Sequence, residues 1–137
     1  MFTRLFPAVA LALCALVAGC SHHALAPATP VDLTIVLAPG QTSSVEGTDL
    51  RVGFVGIASD SRCPADAMCV WAGEGVVAVQ VVDRSGNRQY QLSTAPSKGS
   101  AEHGAYVLTL NDLSPYPFVS QPIAPGAYRV TLRIATR

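Results

Sequence analysis

Gly75-Val-Val-Ala-Val-Gln-Val-Val-Asp-Arg-Ser-Gly-Asn-Arg-Gln-Tyr-Gln-Leu92 is the stretch that decides the fold. Val77, Val79 and Val81 share one face, with Gln80 on the other. After Ser85-Gly86-Asn87, Tyr90 and Leu92 alternate with Gln89 and Gln91. Successive side chains of a strand point to opposite sides, so a period of two marks strands with one buried face. Ser-Gly-Asn between two such runs reads as the turn of a β-hairpin.

The same period continues on both sides. Val31, Leu33, Ile35 and Leu37 alternate with Asp32, Thr34 and Val36. Leu50, Val52 and Phe54 alternate with Arg51, Gly53 and Val55. Tyr106, Leu108 and Leu110 form a further apolar set, and Tyr128, Val130, Leu132 and Ile134 alternate with Arg129, Thr131 and Arg133. Pro39-Gly40 closes the first run and Pro125-Gly126 opens the last. No stretch beyond the N-terminal apolar run carries a helical stripe. Residues 31–137 are therefore expected to form one all-β domain, a small antiparallel β-sandwich of immunoglobulin-like topology with six or seven strands and one short disulfide loop. A small barrel is the alternative.

Two connections are long. Ser93 to Gly104 is small and polar, holds the only lysine, Lys98, and is expected to be mobile. His103 within it reads as a solvated loop residue. Asn111 to Pro125 carries four prolines with Tyr116, Phe118 and Ile123. It reads as a structural crossover whose apolar residues pin it to the sandwich, with Tyr116 and Phe118 as a candidate interaction edge.

Ahead of the domain, Arg4 precedes an apolar run from Leu5 to Ala18, followed by Val17-Ala18-Gly19-Cys20 at its exit. The run falls short of the roughly 20 apolar residues that span a bilayer and has the form of a secretory signal. Its exit resembles the lipobox of bacterial lipoproteins. The resemblance implies a signal peptide over residues 1–19 and lipid attachment at Cys20. From Ser21 to Pro30, Ala, Pro and Thr resist both helix and sheet, so residues 20–30 read as the lipidated cysteine and a short flexible tether. Several acyl chains on one cysteine anchor stably, where a single chain does not. The same resemblance implies that Ser21, in place of Asp, favours the outer membrane, facing the periplasm, if the host has two membranes. The partner expected from this end is the membrane itself. His22 and His23 read as part of a solvated tether.

Nine basic and nine acidic residues balance in the whole chain, and cleavage would remove Arg4. That balance points to no nucleic-acid partner. Cys14 would leave with the signal and Cys20 would be acylated. Cys63 and Cys69 then remain in an oxidising compartment and are expected to form a disulfide. A redox site would more naturally be C-x-x-C, and structural zinc wants four ligands. A calcium loop through Asp60, Asp66 and Glu74 matches no EF-hand spacing. Neither a cofactor nor a metal is therefore expected. Trp71 is expected at or near the core, covering the disulfide, with a ligand platform as its other reading.

The box Ser61-Arg62-Cys63-Pro64, then Cys69, Trp71, Gly73 and Glu74 (S-R-C-P-x-x-x-x-C-x-W-x-G-E), resembles a group of small bacterial envelope proteins, many with lipoprotein signals. Leu110 to Pro117 and Gly126-Ala127-Tyr128 fit the same pattern. The resemblance implies the disulfide and the sandwich and brings no catalytic residues. With no nucleophile set beside a base, the sequence reads as a membrane-anchored envelope lipoprotein. Its expected role is a non-enzymatic binding or interaction module with an envelope protein as partner. Trp71, Tyr116 and Phe118 are its candidate surface, and a metal- or redox-linked periplasmic accessory protein is the alternative.

Overall fold

The central hairpin forms where alternation and turn chemistry place it. The computed structural model describes residues 30–137; Cys14, Cys20 and the His22–His23 pair lie outside them. The strands are β1 (Asp32–Leu37), β2 (Thr42–Ser44), β3 (Arg51–Asp60), β4 (Gly75–Asp83), β5 (Gly86–Ser93), β6 (Ser100–His103), β7 (Tyr106–Ser114) and β8 (Arg129–Thr136). They make two four-stranded antiparallel sheets, ordered β1-β8-β7-β6 and β2-β3-β4-β5. This is the expected two-layer sandwich, and no closed barrel forms. Except for β1 beside β8, every neighbouring pair is consecutive in sequence. The order is thus a pair of meanders, which differs from the Greek-key order of immunoglobulin domains.

The core is drawn from the alternating sets. Val52, Phe54, Val77, Val79, Val81, Leu92, Leu108, Val130, Leu132 and Ile134 are all buried between the sheets. In β7 the register shifts between Leu110 and Asp112. An extra residue there moves the inward face by one position, so Leu113 is buried as well as Leu108 and Leu110.

Two expectations about connections need correction. Ser93 to Gly104 is not an irregular polar loop: it contains a single 3₁₀ turn, Pro96–Lys98, and the strand β6, paired with β7. Four residues of mostly polar character are too short to show alternation, and only the neighbouring strand specifies them. Asn111 to Pro125 does not cross between sheets. Its first four residues belong to β7, and the remainder returns to the adjacent β8.

Candidate functional site

The end of β3 turns inward at Asp60 and Arg62. The Arg62 guanidinium donates from Nε to Asp60 Oδ1 (2.8 Å) and from Nη2 to Asp60 Oδ2 (2.7 Å). Its other contacts are the carbonyl oxygens of Leu113 and Pro115, on the far side of the sandwich. The Tyr128 hydroxyl donates to Asp60 Oδ2 at 3.0 Å, and the Tyr116 ring centre lies 5.3 Å from the guanidinium carbon. Both charged side chains are almost fully enclosed. Burial pushes the Asp60 carboxyl up, but hydrogen bonds and charge from Arg62, helped by Tyr128, outweigh it and hold it below its ordinary value.

The rest of the box depends on this buried pair. Gly73 has φ +65°, and a Cβ there would run into the Ser61 carbonyl. Gly75 lies against the Arg62 side chain and Leu113. The Ser61 hydroxyl donates to the Glu74 carbonyl (3.0 Å) and accepts from the Glu74 amide (3.1 Å). Glu74 Oε2 accepts from Ser93 Oγ, and Glu74 Oε1 pairs with Lys98 Nζ at 3.4 Å. The Ser93 bond, aided by Lys98, keeps this carboxyl below its ordinary range against the opposing effect of burial.

Cys63 and Cys69 form the expected disulfide, with Cα atoms 6.0 Å apart. The loop it closes is fastened to the proline-rich loop: the Ala65 amide donates to the Pro117 carbonyl (2.9 Å), and the Val119 amide donates to Asp66 Oδ1 (2.8 Å). Beneath, Arg62 holds Leu113 and Pro115. Two segments some fifty residues apart in sequence thus form one cap over one end of the sandwich.

The two loops of that cap also carry most of the exposed apolar side chains. Among the described residues eight large apolar side chains are exposed. Six of them, Met68, Val70, Trp71, Tyr116, Phe118 and Val119, belong to these two loops. All three surface residues expected from the sequence are therefore at one end, though Trp71 corrects the core reading: it is 79% exposed. The face alternation of β4 does not reach back to it, because β4 starts only at Gly75 and the left-handed turn at Gly73 intervenes. Trp71 instead walls a depression of about 350 Å³ with Ser61, Glu74, Ala95, Ser97 and Lys98.

His103 also departs from expectation. It is buried at the opposite end of the sandwich, with Nε2 2.9 Å from Asp83 Oδ2 and Nδ1 2.9 Å from the Tyr90 hydroxyl. Neither Ser97 nor Ser100 shares a hydrogen bond with it among the described residues. Both ring nitrogens are engaged, so the group works as a clasp across the β5–β6 corner. Asp60, Asp66 and Glu74 are each committed to a different protein partner. Among the described residues, no three His, Cys, Asp or Glu side chains converge as metal ligands would.

The buried Asp60–Arg62 pair is the part of the site that reading the residues missed. The available signal was an Asp-x-Arg step at the end of an apolar strand, which by spacing alone is indistinguishable from a solvated turn. Compared with family models, with curated proteins and with solved structures, the chain matches none.

Proposed function

We propose that this protein is a lipid-anchored, non-enzymatic interaction module of the cell envelope whose contact surface is the cap formed by the disulfide and proline loops. The observation that carries the reading is the concentration of exposed apolar side chains on that cap. Clustered exposed apolar groups signal a binding surface, whereas scattered single ones do not. The cap is also held rigid by an ion pair, a disulfide and loop-to-loop hydrogen bonds, which lowers the ordering cost of binding.

The position of the cap supports the same reading. Pro30 leads into β1, whose Asp32 faces Ala135 at the finish of β8, while the cap borders Arg129 at the start of β8. The tether from Cys20 thus joins the end away from the cap. Nine residues of β7 separate the two ends by about 30 Å. A lipid on Cys20 would therefore root the domain at one end and present the apolar cap at the other, toward a partner beyond the anchoring membrane. In a two-membrane host, Ser21 in place of Asp beside Cys20 favours the outer membrane, facing the periplasm.

Photo-crosslinking amino acids at Val70 and Phe118 in the native host, compared with one at Arg88 on β5, test the surface. Discrete adducts from the two cap positions and none from Arg88 are expected. Equal labelling from all three sinks the reading. Cys20→Ala tests the anchor: release from the membrane fraction is expected, and unchanged membrane association contradicts it.

A further inference from the structure

We infer that the depression beside Trp71 is a subsite for one sugar ring of a glycan chain. This rests on the reading of the cap as the contact surface and names what one part of it takes.

The walls of the depression divide by chemistry. One is the Trp71 indole, 79% exposed, with Ala72 and Ala95 as the only other apolar side chains. Around it stand the Ser61 and Ser97 hydroxyls, the Glu74 carboxylate and the Lys98 ammonium. There is no deep apolar slot for a large side chain of a peptide. The arrangement suits a flat ligand with one carbon–hydrogen face to lie on the indole and a rim of hydroxyl or acylamino groups to meet the polar wall. A pyranose ring has both.

Size and access agree. A volume of about 350 Å³ is near the small end of ligand sites, which start at roughly 300 Å³, so it takes a single ring and leaves its neighbours outside. The depression is open rather than enclosed, which lets a chain enter and leave. Lys98 Nζ has one long contact, to Glu74, and its side chain is 66% exposed. Its remaining donors are free for ligand hydroxyl or carbonyl oxygens. Glu74 retains lone pairs beyond those used by Ser93 and Lys98. The subsite lies at the end away from the tether, where a polymer beyond the anchoring membrane would be met.

Trp71 is the only tryptophan in the chain, so its emission reports the subsite without background. The probe is a soluble N-acetylglucosamine tetrasaccharide titrated into the unlipidated chain, residues 21–137, tether and domain together. A saturable blue shift is expected as the indole leaves water. By ligand-observed NMR, Trp71→Ala weakens binding roughly tenfold, Trp71→Phe by less, and Arg88→Ala, on β5 outside the cap, not at all. Lys98→Met weakens it several-fold while thermal stability holds. An unmoved emission at millimolar saccharide overturns the inference, as does undiminished binding by Trp71→Ala. A shift with a short apolar peptide and none with the saccharide overturns it as well. If the saccharide fails while Val70 and Phe118 still crosslink a partner, only the sugar subsite falls. If the crosslinks also vanish, the cap reading falls with it.

Discussion

The two ends of the sandwich are built differently. At the end near Pro30, β4 and β5 join through a tight turn at Arg84–Ser85, and β6 and β7 through Gly104–Ala105. One polar clasp, Asp83–His103–Tyr90, ties the corner, and no large apolar side chain protrudes from these turns. At the other end the connections run for 14 residues between Asp60 and Gly75 and for 14 between Ser114 and Arg129. They are braced from beneath and carry most of the exposed apolar groups. Closing a meander needs only the first kind of end, since strand pairs can be joined by two residues. The second kind keeps apolar groups in water and spends a buried ion pair and a disulfide on holding them in place. Stability alone does not call for such an end, and the proposed contact role of the cap does.

Substitutions can break or sharpen this contrast. The largest effect is expected at Asp60→Asn, which leaves the Arg62 charge enclosed without its partner and should cost about 3–5 kcal/mol in denaturant unfolding. Adding Arg62→Met should recover much of that, because an apolar replacement of a buried pair is often neutral. If the single variant costs nothing, the brace is not what holds the cap. The same pair sets an acid response. The Asp60 pKa is lowered in the folded state, so the stability it contributes is complete above the ordinary carboxyl range, about pH 4, and is lost as pH falls through the lower folded-state value. Glu74 and Asp83 are shifted in the same direction. Wild type should therefore lose stability below about pH 4, and Asp60→Asn should show a shallower acid limb.

Joint replacement of Cys63 and Cys69 by Ser should cost about 2.4 kcal/mol on the chain-entropy account for a loop of about seven residues. Amide exchange should rise first in residues 63–72. Uniform protection loss across both sheets would mean the disulfide supports the whole sandwich rather than the cap. At the plain end, His103→Leu removes the partner of the Tyr90 hydroxyl and of Asp83 Oδ2, while Asp83 Oδ1 keeps Ser85, and should cost about 1–3 kcal/mol, read from the denaturant midpoint. The smallest effect is expected at the exposed tips: Met68→Ser with Val70→Ser should change stability by under about 0.5 kcal/mol while removing crosslinking from a photo-reactive residue at position 118. A large stability loss there would make those residues structural and erase the contrast.

Much of this molecule was legible along the chain. Alternation at Val77, Val79 and Val81, or at Val130, Leu132 and Ile134, is a local property, and each of these side chains is buried where its period places it. The pairing of Cys63 with Cys69, expected once Cys14 and Cys20 are assigned other fates, is present. Tyr116 and Phe118 stood out because aromatic groups between prolines have few local neighbours to cover them. The two short strands β2 and β6 carry too few residues for a pattern, so they escaped it.

What only the tertiary structure decided concerns residues whose partners are far away in sequence. Arg62 is buried because Leu113 and Pro115 bring carbonyl oxygens to it. His103 is buried because Asp83 and Tyr90 reach both of its nitrogens. Trp71 is exposed because the turn at Gly73 separates it from the strand whose alternation would have turned it inward. The period of a strand is written in neighbouring residues, so the sequence by itself determined which side chains form the core. Whether a charged, polar or aromatic side chain between strands is buried depends on groups brought close by folding, and only the assembled sheets supply them.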